Sequence, residues 1–377
     1  MKPFDVYPLM DIEPVKALGS YILDKNGEKY LDFYGGHAVV SIGHSHPAFV
    51  AAIKKQVESL AFYSNSVQSA LREEAAERVG KLSGYEDYRV FFCNSGAEAN
   101  ENALKVASFH NGRKKVIAFT GGFHGRTSGA VAATDNPDIV SPYNRSKNVA
   151  ILPFNDIDSI EKKLDESIAA VIVEGIQGIA GIYIPQPEFL VKLSALCERH
   201  GIVLILDEVQ SGNGRTGLFF AHRHAGIIPD IITIAKGMGN GFPVGGALIH
   251  PKFKARHGLL GSTFGGGHLA CAAVNSVMKV IEEENLMENA ERTGTYLIRR
   301  LKEVPNIREV RGKGLMIGIE LPGSAHAVRQ RLLVKHKILT GAARNKNTIR
   351  LLPPLSIGKS EADTLIEALE EELTKAE

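Results

Sequence analysis

The sequence predicts an α/β fold with a mostly parallel central sheet and a smaller α+β domain. Between residues 89 and 249, short apolar runs alternate with stretches of helical periodicity, which is the pattern of parallel strands joined by helices. These runs are almost continuously hydrophobic, as expected of strands covered by helices on both faces. After Leu269 the alternation stops, and long helical stretches lead into short strands. This change indicates the second domain.

The central sheet is predicted from six apolar runs, each with the length of a buried strand. They occupy residues 89–93, 115–119, 169–173, 203–207, 230–235 and 245–249. A helix is predicted over about 98–110, directly after the first run. Another is predicted from Pro187 and ends at Gly201.

The C-terminal region is predicted to form the smaller domain. Its helices cover about 268–284, 286–303, 324–336 and 360–375, and its strands lie in VRGKGLMIGIEL and near Ile338 and Ile349. Two short strands near the N-terminus, YILD and KYLDF, most simply pack on the same unit. The predicted division is an N-terminal segment (1–46) packing with the small domain, a large domain (47–274) and the C-terminal small domain (275–377).

The composition argues against several classes of protein. The 377 residues are 44% hydrophobic and 23% charged with a formal net charge of +2, which gives no support for a nucleic-acid-binding surface. No stretch reaches the length of a membrane span, and the first residues lack the apolar core of a signal peptide. Cys93, Cys197 and Cys271 lack metal-ligand spacing and are interpreted as reduced thiols. A cytoplasmic location is therefore expected.

Lys236 is the first candidate catalytic residue. It follows a β-branched run and opens the glycine-rich loop KGMGNGFPVGG. A lysine that leaves a buried strand is desolvated, which disfavours its charged form and makes its amine a better nucleophile. Such a lysine suits Schiff-base chemistry with an aldehyde cofactor. Taken alone, it could also be a lysine whose charged end simply reaches solvent.

Two further motifs place polar groups at strand ends. Ser95, Gly96 and Ala97 begin a helix, where free N–H groups and the positive helix end favour a phosphate, although Ser95 could be only a helix cap. Asp207 ends a buried strand, where ligands bind in open α/β sheets. A buried carboxylate needs a cationic partner, and this could be Arg215 or the protonated ring nitrogen of a cofactor.

Other cofactor and metal motifs are weakly supported. The glycines after Lys236 miss the GxGxxG spacing by one residue, and no GxxxxGK[ST] motif occurs. The pairs His44/His46 and His222/His224 are spaced like metal ligands, but neither has a third ligand nearby in the sequence. No metal site is therefore expected.

Taken together, five motifs resemble the class III family of pyridoxal 5'-phosphate (PLP)-dependent aminotransferases. They are FFCNSGAEANENALK, GGFHGRT, ILDEVQSGNGRTG, IAKGMGNGFPVGG and GSTFGGG, and they occur in the order of that family. The resemblance runs from about Tyr21 to the C-terminus and is closest to the acetylornithine and succinylornithine aminotransferase branch. It implies the fold type I of PLP-dependent transferases, PLP as cofactor and a homodimer with shared active sites.

The resemblance also implies roles for individual residues. Lys236 would bind the cofactor covalently and Asp207 would pair with its ring nitrogen. Arg126 and Arg350 would hold substrate carboxylates, and Thr263 would reach the cofactor phosphate of the neighbouring subunit. The implied site comprises catalytic Lys236 and Asp207, cofactor-binding Ser95, Gly96, Ala97, Phe123, His124, Val209, Gln210 and Thr263, and substrate-binding Arg126, Arg350, Glu174 and His37.

Three positions depart from the family pattern. Ile179 stands where relatives usually carry an acidic residue that pairs with the arginine at the position of Arg350. His37 occupies a position that is often aliphatic or aromatic, and Gly267–His268 replaces the usual Asn-Pro. Each histidine adds a polar, potentially cationic group.

The expected reaction is transfer of the terminal amino group of an N-acylornithine to 2-oxoglutarate, in arginine biosynthesis. The two histidines lead us to expect that N-succinylornithine equals or exceeds N-acetylornithine as donor, and that free ornithine is the poorest of the three. The alternatives are an ornithine or 4-aminobutyrate aminotransferase, an aminomutase, and a non-catalytic binding protein with the same fold. A nicotinamide-dependent dehydrogenase is disfavoured by the glycine spacing.

Overall fold

A computed structural model describes residues 1–374 of the chain. Its central sheet has seven strands, of which one is antiparallel to both of its neighbours and six are parallel. In spatial order the strands are Arg89–Cys93, Gly245–Ile249 (the antiparallel strand), Ile231–Ile234, Val203–Asp207, Ile168–Glu174, Lys115–Phe119 and Val149–Leu152. The predicted mostly parallel sheet is therefore confirmed. The strand Val149–Leu152 was not predicted; it is a short, half-buried edge strand.

Helices cover both faces of the sheet. Alternate residues of each strand point to opposite faces, so neighbouring residues pack against different helices. Val171 belongs to the same apolar cluster as Leu193, which lies on one covering helix. The next residue, Ile172, packs in a different cluster with Val106 of a helix on the other face. These two helices are Pro187–His200 and Gly96–Asn111.

The remaining helices surround this layer and continue into the C-terminal region. The long ones are Pro47–Ser59, Ala70–Ser83, His268–Glu283, Leu286–Leu301, Ala325–Val334 and Lys359–Thr374. The short ones are Gly35–Ala38, Ser128–Ala132, Pro137–Ile139, Pro142–Asn144, Ile157–Glu161, Gly178–Gly181, Ala221–Ala225 and Lys236–Met238. The first two long helices were not predicted. Lys375, the last residue of the predicted terminal helix, lies outside the described residues.

Two smaller sheets lie outside the central one. The first joins Pro14–Leu18, Tyr21–Asp24 and Lys29–Asp32 to Ile338–Leu339. The second contains Glu309–Lys313, Met316–Glu320, Thr348–Leu351 and Gly341–Ala342. Leu31 pairs in parallel with Ile338, so the N-terminal strands share a sheet with the C-terminal region. The predicted domain boundaries remain a prediction, and the one at 274/275 falls inside a helix.

Within residues 1–374, no helix is both long enough and apolar enough to cross a membrane.

Candidate active site

The candidate active site is a cavity at the carboxyl ends of the parallel strands. Its volume is about 380 Å³, and it lies at the edge where open α/β sheets bind their ligands. The sequence-predicted residues that line it are Ser95, Gly96, Ala97, Phe123, His124, Arg126, Glu174, Asp207, Val209, Gln210 and Lys236. The structure therefore brings together most of a site that is dispersed along the sequence. Thr263, Arg350 and His37 are outside this lining.

Lys236 directly follows a buried strand and adopts an unusual backbone conformation. Its φ of 45° lies in the left-handed region, which costs a residue other than glycine about 1–3 kcal/mol. The turn is held from two sides: Asn213 Nδ2 donates to the carbonyl of Ala235 at 3.1 Å, and Ser41 Oγ donates to the carbonyl of Gly237 at 2.6 Å. These contacts fix the direction in which the lysine side chain leaves the strand.

Lys236 is half-buried and lines the cavity. Burial lowers its pKa to about 8, against the opposing effect of Asp207 and Glu174. A larger fraction of the amine is therefore uncharged near neutral pH than for an ordinary lysine, as a nucleophilic amine requires.

Asp207 is a buried carboxylate held by several donors. Its Oδ2 lies 2.8 Å from His124 Nδ1 and accepts from Asn100 Nδ2 at 2.7 Å. Its Oδ1 accepts from the backbone N–H of Val209 at 3.0 Å. Asn100 is fixed in turn because its Oδ1 accepts from Thr233 Oγ1 at 2.6 Å. The carboxylate is thus rigidly oriented at the cavity wall.

The start of the helix Gly96–Asn111 forms another wall of the cavity. Ser95 is its N-cap, and its side chain accepts from the backbone N–H of Glu98. A Cβ on Gly96 would lie 2.5 Å from Val209 Cγ1, so this position admits no larger residue without displacing Val209. Ser95, Gly96 and Ala97 line the cavity, and the free N–H groups at the start of a helix favour an anionic group.

Glu174 accepts hydrogen bonds from two loops at the cavity. Its Oε1 accepts from the backbone N–H of Phe123 and its Oε2 from that of Gly178, each at 2.9 Å. Burial raises the pKa of Glu174 to about 7. Its observed contacts are with these loops, and they hold Phe123 at the cavity wall.

Arg126 is exposed at the cavity. Among the described residues its guanidinium has neither a hydrogen-bond acceptor nor an ion-pair partner. A guanidinium without an internal partner can bind an external carboxylate through two parallel N–H bonds.

Arg350 lies behind Gln210 and not on the cavity surface. It is 2% exposed; its Nε donates to the carbonyl of Ala342 at 2.5 Å, and its Nη1 donates to Gln210 Oε1 at 3.2 Å. Gln210 Nε2 donates to the carbonyl of His37, also at 3.2 Å. Gln210 therefore links Arg350 to the turn that contains His37.

The surroundings of the His37 ring disfavour its charged form. It lies on an exposed turn in hydrogen-bond contact with the Tyr34 hydroxyl. Desolvation of the ring, followed by the nearby cations Arg350 and Lys236, lowers its pKa to about 4. This lowered pKa argues against a cationic His37 near neutral pH, and a neutral ring offers a hydrogen bond but no ion pair.

Thr263 and His268 are not among the residues that line the cavity. Thr263 is exposed, and beside it Phe264 is 63% exposed and contacts the ring of Phe62. His268 Nδ1 is buried without a hydrogen-bond partner among the described residues. Neither residue reaches the cavity of its own chain.

These contacts bear on two alternatives from the sequence, namely Arg215 as the partner of Asp207 and the paired histidines as metal ligands. Arg215 donates to the carbonyls of Leu315 and Pro353, so it is not the partner of Asp207. The paired histidines contact other groups, and no cluster of three metal-ligand side chains was found within residues 1–374. These groups are Asp32 for His44, Glu284 for His46, Glu208 and Tyr85 for His222, and Thr216 for His224.

Four polar residues that position the site were not predicted from the sequence. Asn100 and Thr233 support Asp207, and Ser41 and Asn240 support the turn after Lys236. Asn100 lies within the motif NSGAEANENALK, and a polar residue on the cavity side of a helix was the available signal. Ser41 is almost 200 residues from the turn it holds, and its local sequence gives no such signal.

Comparison with known proteins agrees with this geometry. The family model for "Aminotransferase class-III" matches residues 5–373. The chain is 42% identical over 373 residues to the acetylornithine aminotransferase of Methanopyrus kandleri, covering 98% of this chain and 96% of that protein. It is 40% identical over 375 residues to the acetylornithine aminotransferase of Bacillus subtilis, with coverage of 98% and 96%.

A solved structure extends the similarity to the whole fold. The ornithine aminotransferase of Toxoplasma gondii, crystallized in the presence of oxidized glutathione with partial occupancy of PLP at its active site, matches with a TM-score of 0.91. The identity is 29%, and the match covers 98% of this chain and 92% of that chain. The expectation of fold type I is confirmed. Because the family model spans nearly the whole length, this chain belongs to the class III aminotransferase family.

Proposed function

We propose that the chain is a PLP-dependent aminotransferase that transfers the terminal amino group of an N-acylornithine to 2-oxoglutarate, in arginine biosynthesis. The products are N-acylglutamate semialdehyde and glutamate. The observation that carries the proposal is that Lys236, with its lowered pKa, and the oriented Asp207 carboxylate line one cavity. The acetylornithine aminotransferases that resemble nearly the full chain support the substrate class.

The residues of the cavity fit PLP. The first-turn N–H groups after Ser95 suit its phosphate, and Asp207 suits a protonated ring nitrogen. Gly96 admits no side chain beside Val209, so the helix start packs closely against a residue that also lines the cavity. Phe123 and Val209 line the cavity with apolar surface suited to the ring.

PLP, Lys236 and Asp207 would have separate roles in the reaction. When bound, PLP supplies an aldehyde that reacts with amines and a ring that accepts electrons. Lys236 would hold the cofactor and then move a proton at Nζ between the substrate carbon and the cofactor. Asp207, fixed by His124 and Asn100, would keep the ring nitrogen protonated.

Two arginines would orient the substrates. Arg126 would bind the α-carboxylate of the acylornithine, so that the terminal amine points towards Lys236. The acyl group removes the charge of the α-amino group, so this end requires only a carboxylate site and space. Arg350 would bind a carboxylate of the 2-oxoacid, and its contact with Gln210 would connect that event to the cofactor site.

The proposed assembly is a homodimer with shared active sites, in the cytoplasm. Thr263 is exposed and outside the cavity of its own chain, which is compatible with contact to the phosphate bound by a partner subunit. The exposed ring of Phe264 beside it adds apolar surface that a subunit contact would bury.

A donor panel with coupled detection of glutamate tests the substrate. We expect N-acetylornithine and N-succinylornithine to give a higher kcat/KM than ornithine or 4-aminobutyrate. The neutral His37 can still donate a hydrogen bond to a succinyl carboxylate, so the expectation that succinyl equals or exceeds acetyl stands. A clear preference for free ornithine would contradict the acyl assignment, whereas acetyl far above succinyl would contradict only the histidine argument.

A matched pair of arginine variants tests the carboxylate site. Arg126→Lys should raise KM for the acylornithine, because an ammonium cannot form two parallel hydrogen bonds with a carboxylate. Arg145→Lys, at another exposed position, should leave KM unchanged. Equal KM values for both variants would remove Arg126 from the substrate site.

A further inference from the structure

Arg350 is a buried cation without a carboxylate partner within residues 1–374. Its side chain donates to a backbone carbonyl at Ala342 and to the neutral amide of Gln210, and the residue is 2% exposed. Neutral acceptors satisfy hydrogen bonds but leave the positive charge uncompensated. Buried charges in proteins are normally paired because desolvation is costly.

Glu174 does not compensate for this charge. It is the one carboxylate among the groups with a described electrostatic effect on Arg350, which also include the Tyr34 hydroxyl. Both of its oxygens accept backbone N–H groups, from Phe123 and Gly178. Its pKa is raised to about 7 by burial, so a substantial fraction is uncharged near neutral pH. No direct contact between the two side chains is formed.

Ile179 is an aliphatic residue on an element that packs against the strand of Arg350. It lies on the short helix Gly178–Gly181, which packs against the strand Thr348–Leu351 that contains Arg350. Its side chain lines the cavity beside Gln210. An aliphatic residue here leaves the cavity side of Arg350 without a negative group.

A second arginine strengthens the positive potential. Arg329 Nη2 donates to the carbonyl of Thr340 at 2.9 Å, two residues before the carbonyl that Arg350 contacts. Arg329 Nε and Thr340 Oγ1 are buried without hydrogen-bond partners among the described residues. Arg329 and Arg350 are close enough that Arg329 lowers the pKa of Arg350. Two guanidinium groups and an unpaired hydroxyl thus converge on one short segment.

We propose that Arg350, supported by Arg329, is a standing site for a small exchangeable anion such as chloride or formate, displaced by the carboxylate of the oxoacid. The proposal rests on the proposed function for the identity of the displacing substrate. The anion would neutralise the buried guanidinium while the amine donor, which brings no carboxylate to its reacting end, is bound. An exchangeable ion would thereby do what a carboxylate at position 179 would do permanently.

The first test measures anion binding without substrate. Chlorine NMR of the PLP-loaded protein, in which the cofactor phosphate would occupy the helix start after Ser95, should show chloride line broadening that formate suppresses by competition. Ile179→Glu should remove most of the broadening because the new carboxylate pairs with Arg350. Ile179→Gln introduces a side chain of the same size as glutamate but without its charge, so it should retain the broadening. Arg329→Gln removes the supporting cation and should weaken the broadening. Equal broadening in wild type and Ile179→Glu would overturn the proposal.

The second test measures competition in the working enzyme. At constant ionic strength, replacing bulky gluconate by chloride should raise KM for 2-oxoglutarate several-fold and leave kcat unchanged. Ile179→Glu should be insensitive to this replacement, whereas Ile179→Gln should respond like wild type. An identical KM in the two salts would overturn the proposal. The NMR measurement uses no substrate, so its result does not depend on the donor. Failure of the donor panel would therefore contradict the proposed function and not the anion site.

Discussion

At the scale of single residues, Lys236 has the properties that the proposed nucleophile requires. The residue combines a left-handed backbone, a position in the cavity lining and a pKa lowered to about 8. An ordinary surface lysine has none of these properties, so the alternative of a lysine that simply reaches solvent is disfavoured by its surroundings. Strain of this kind persists where neighbouring contacts enforce it, and here Ser41 and Asn213 supply them.

Removing the Lys236 amine should abolish turnover while the protein stays folded. We expect Lys236→Ala to lose the visible absorption band that borohydride removes from the wild type. Loss of its proton transfer alone should reduce the rate by about 10²–10⁴-fold. The exposed helix residue Lys192 gives a matched control, since Lys192→Ala should keep both the band and the rate. Near wild-type transamination by Lys236→Ala would show that another residue performs this role.

The lowered pKa of Lys236 also predicts a pH-dependent stability. Because folding lowers this pKa from 10.5 to about 8, protonation favours the unfolded chain, and the penalty is fully present below about pH 8. It amounts to at most about 3 kcal/mol and disappears as the pH rises towards 10.5.

Cofactor-free Lys236→Met should therefore unfold at a higher denaturant concentration than wild type near neutral pH. The difference should shrink between about pH 8 and 10.5, where wild-type Lys236 loses its proton in both states. Chemical unfolding across this pH range measures it, with Lys192→Met as the control. A difference that is constant with pH would assign the effect to packing and not to charge.

Asp207 should matter more for rate than for cofactor occupancy. In Asp207→Asn the amide can still hydrogen-bond His124 and Asn100, but it cannot stabilise a protonated ring nitrogen. The rate should fall by about 10²-fold or more, as for other losses of oriented charge at an active site. Occupancy from visible absorption should fall much less. Asp138→Asn, at an exposed position, should change neither quantity, and equal rates for wild type and Asp207→Asn would remove the proposed role.

At the scale of elements, strands and helices were predictable where the local pattern reflects burial. The runs that form Lys115–Phe119, Val203–Asp207 and Gly245–Ile249 were predicted with their observed ends. The turn Gly35–Ala38 could not be predicted, because all four residues have positive φ, including His37 and Ala38. Local preference disfavours this conformation, so tertiary contacts must impose it. One of them is the hydrogen bond from Gln210 to the His37 carbonyl.

The turn after Lys236 depends on Asn240 for its attachment to the N-terminal region. Asn240 Oδ1 accepts from the backbone N–H groups of Ser41 at 2.8 Å and Ile42 at 3.1 Å, and its Nδ2 donates to the carbonyl of Gly43 at 2.9 Å. Because Asn240 itself has a φ of 46°, glycine can adopt its backbone conformation while removing these three bonds.

Asn240→Gly should therefore destabilise the protein by about 1–3 kcal/mol and slow the reaction of Lys236 with added PLP. Thermal unfolding measures the first effect, and the rate at which the visible band appears measures the second. Asn285→Gly is the matched control, since Asn285 has a similar φ of 51° but no side-chain cap hydrogen bond. If both variants behave alike, the asparagine side chain at 240 does not position the lysine turn.

At the scale of the whole molecule, the fold joins motifs that are far apart in sequence. Asn100 and Thr233 meet Asp207 because their helix and strand lie beside the strand Val203–Asp207. The sequence indicated the participating strands and the proposed catalytic pair, Lys236 and Asp207. It could not indicate Asn100–Thr233, because this contact depends on strand order and register, which hydrophobic patterns do not encode.

The proposed shared site predicts complementation between two defective subunits. Thr263→Val should weaken PLP binding by about 1–3 kcal/mol, because a phosphate contact is left unmade, so its activity should be low at limiting PLP. Lys236→Ala should be inactive at any PLP concentration. If Thr263 serves the partner's site, a mixed dimer contains one site that lacks both groups and one with wild-type Lys236 and wild-type Thr263.

Co-refolding equal amounts of the two variants should therefore restore activity at limiting PLP. Random pairing makes half of the dimers mixed, each with one of two sites intact, so about one quarter of wild-type activity is expected. Each variant refolded alone is the control and should stay near its own low value. If Thr263 served its own chain, every site in the mixed dimer would carry one defect. Activity that never exceeds the average of the separate variants would therefore exclude the shared site, and restored activity would require a dimer.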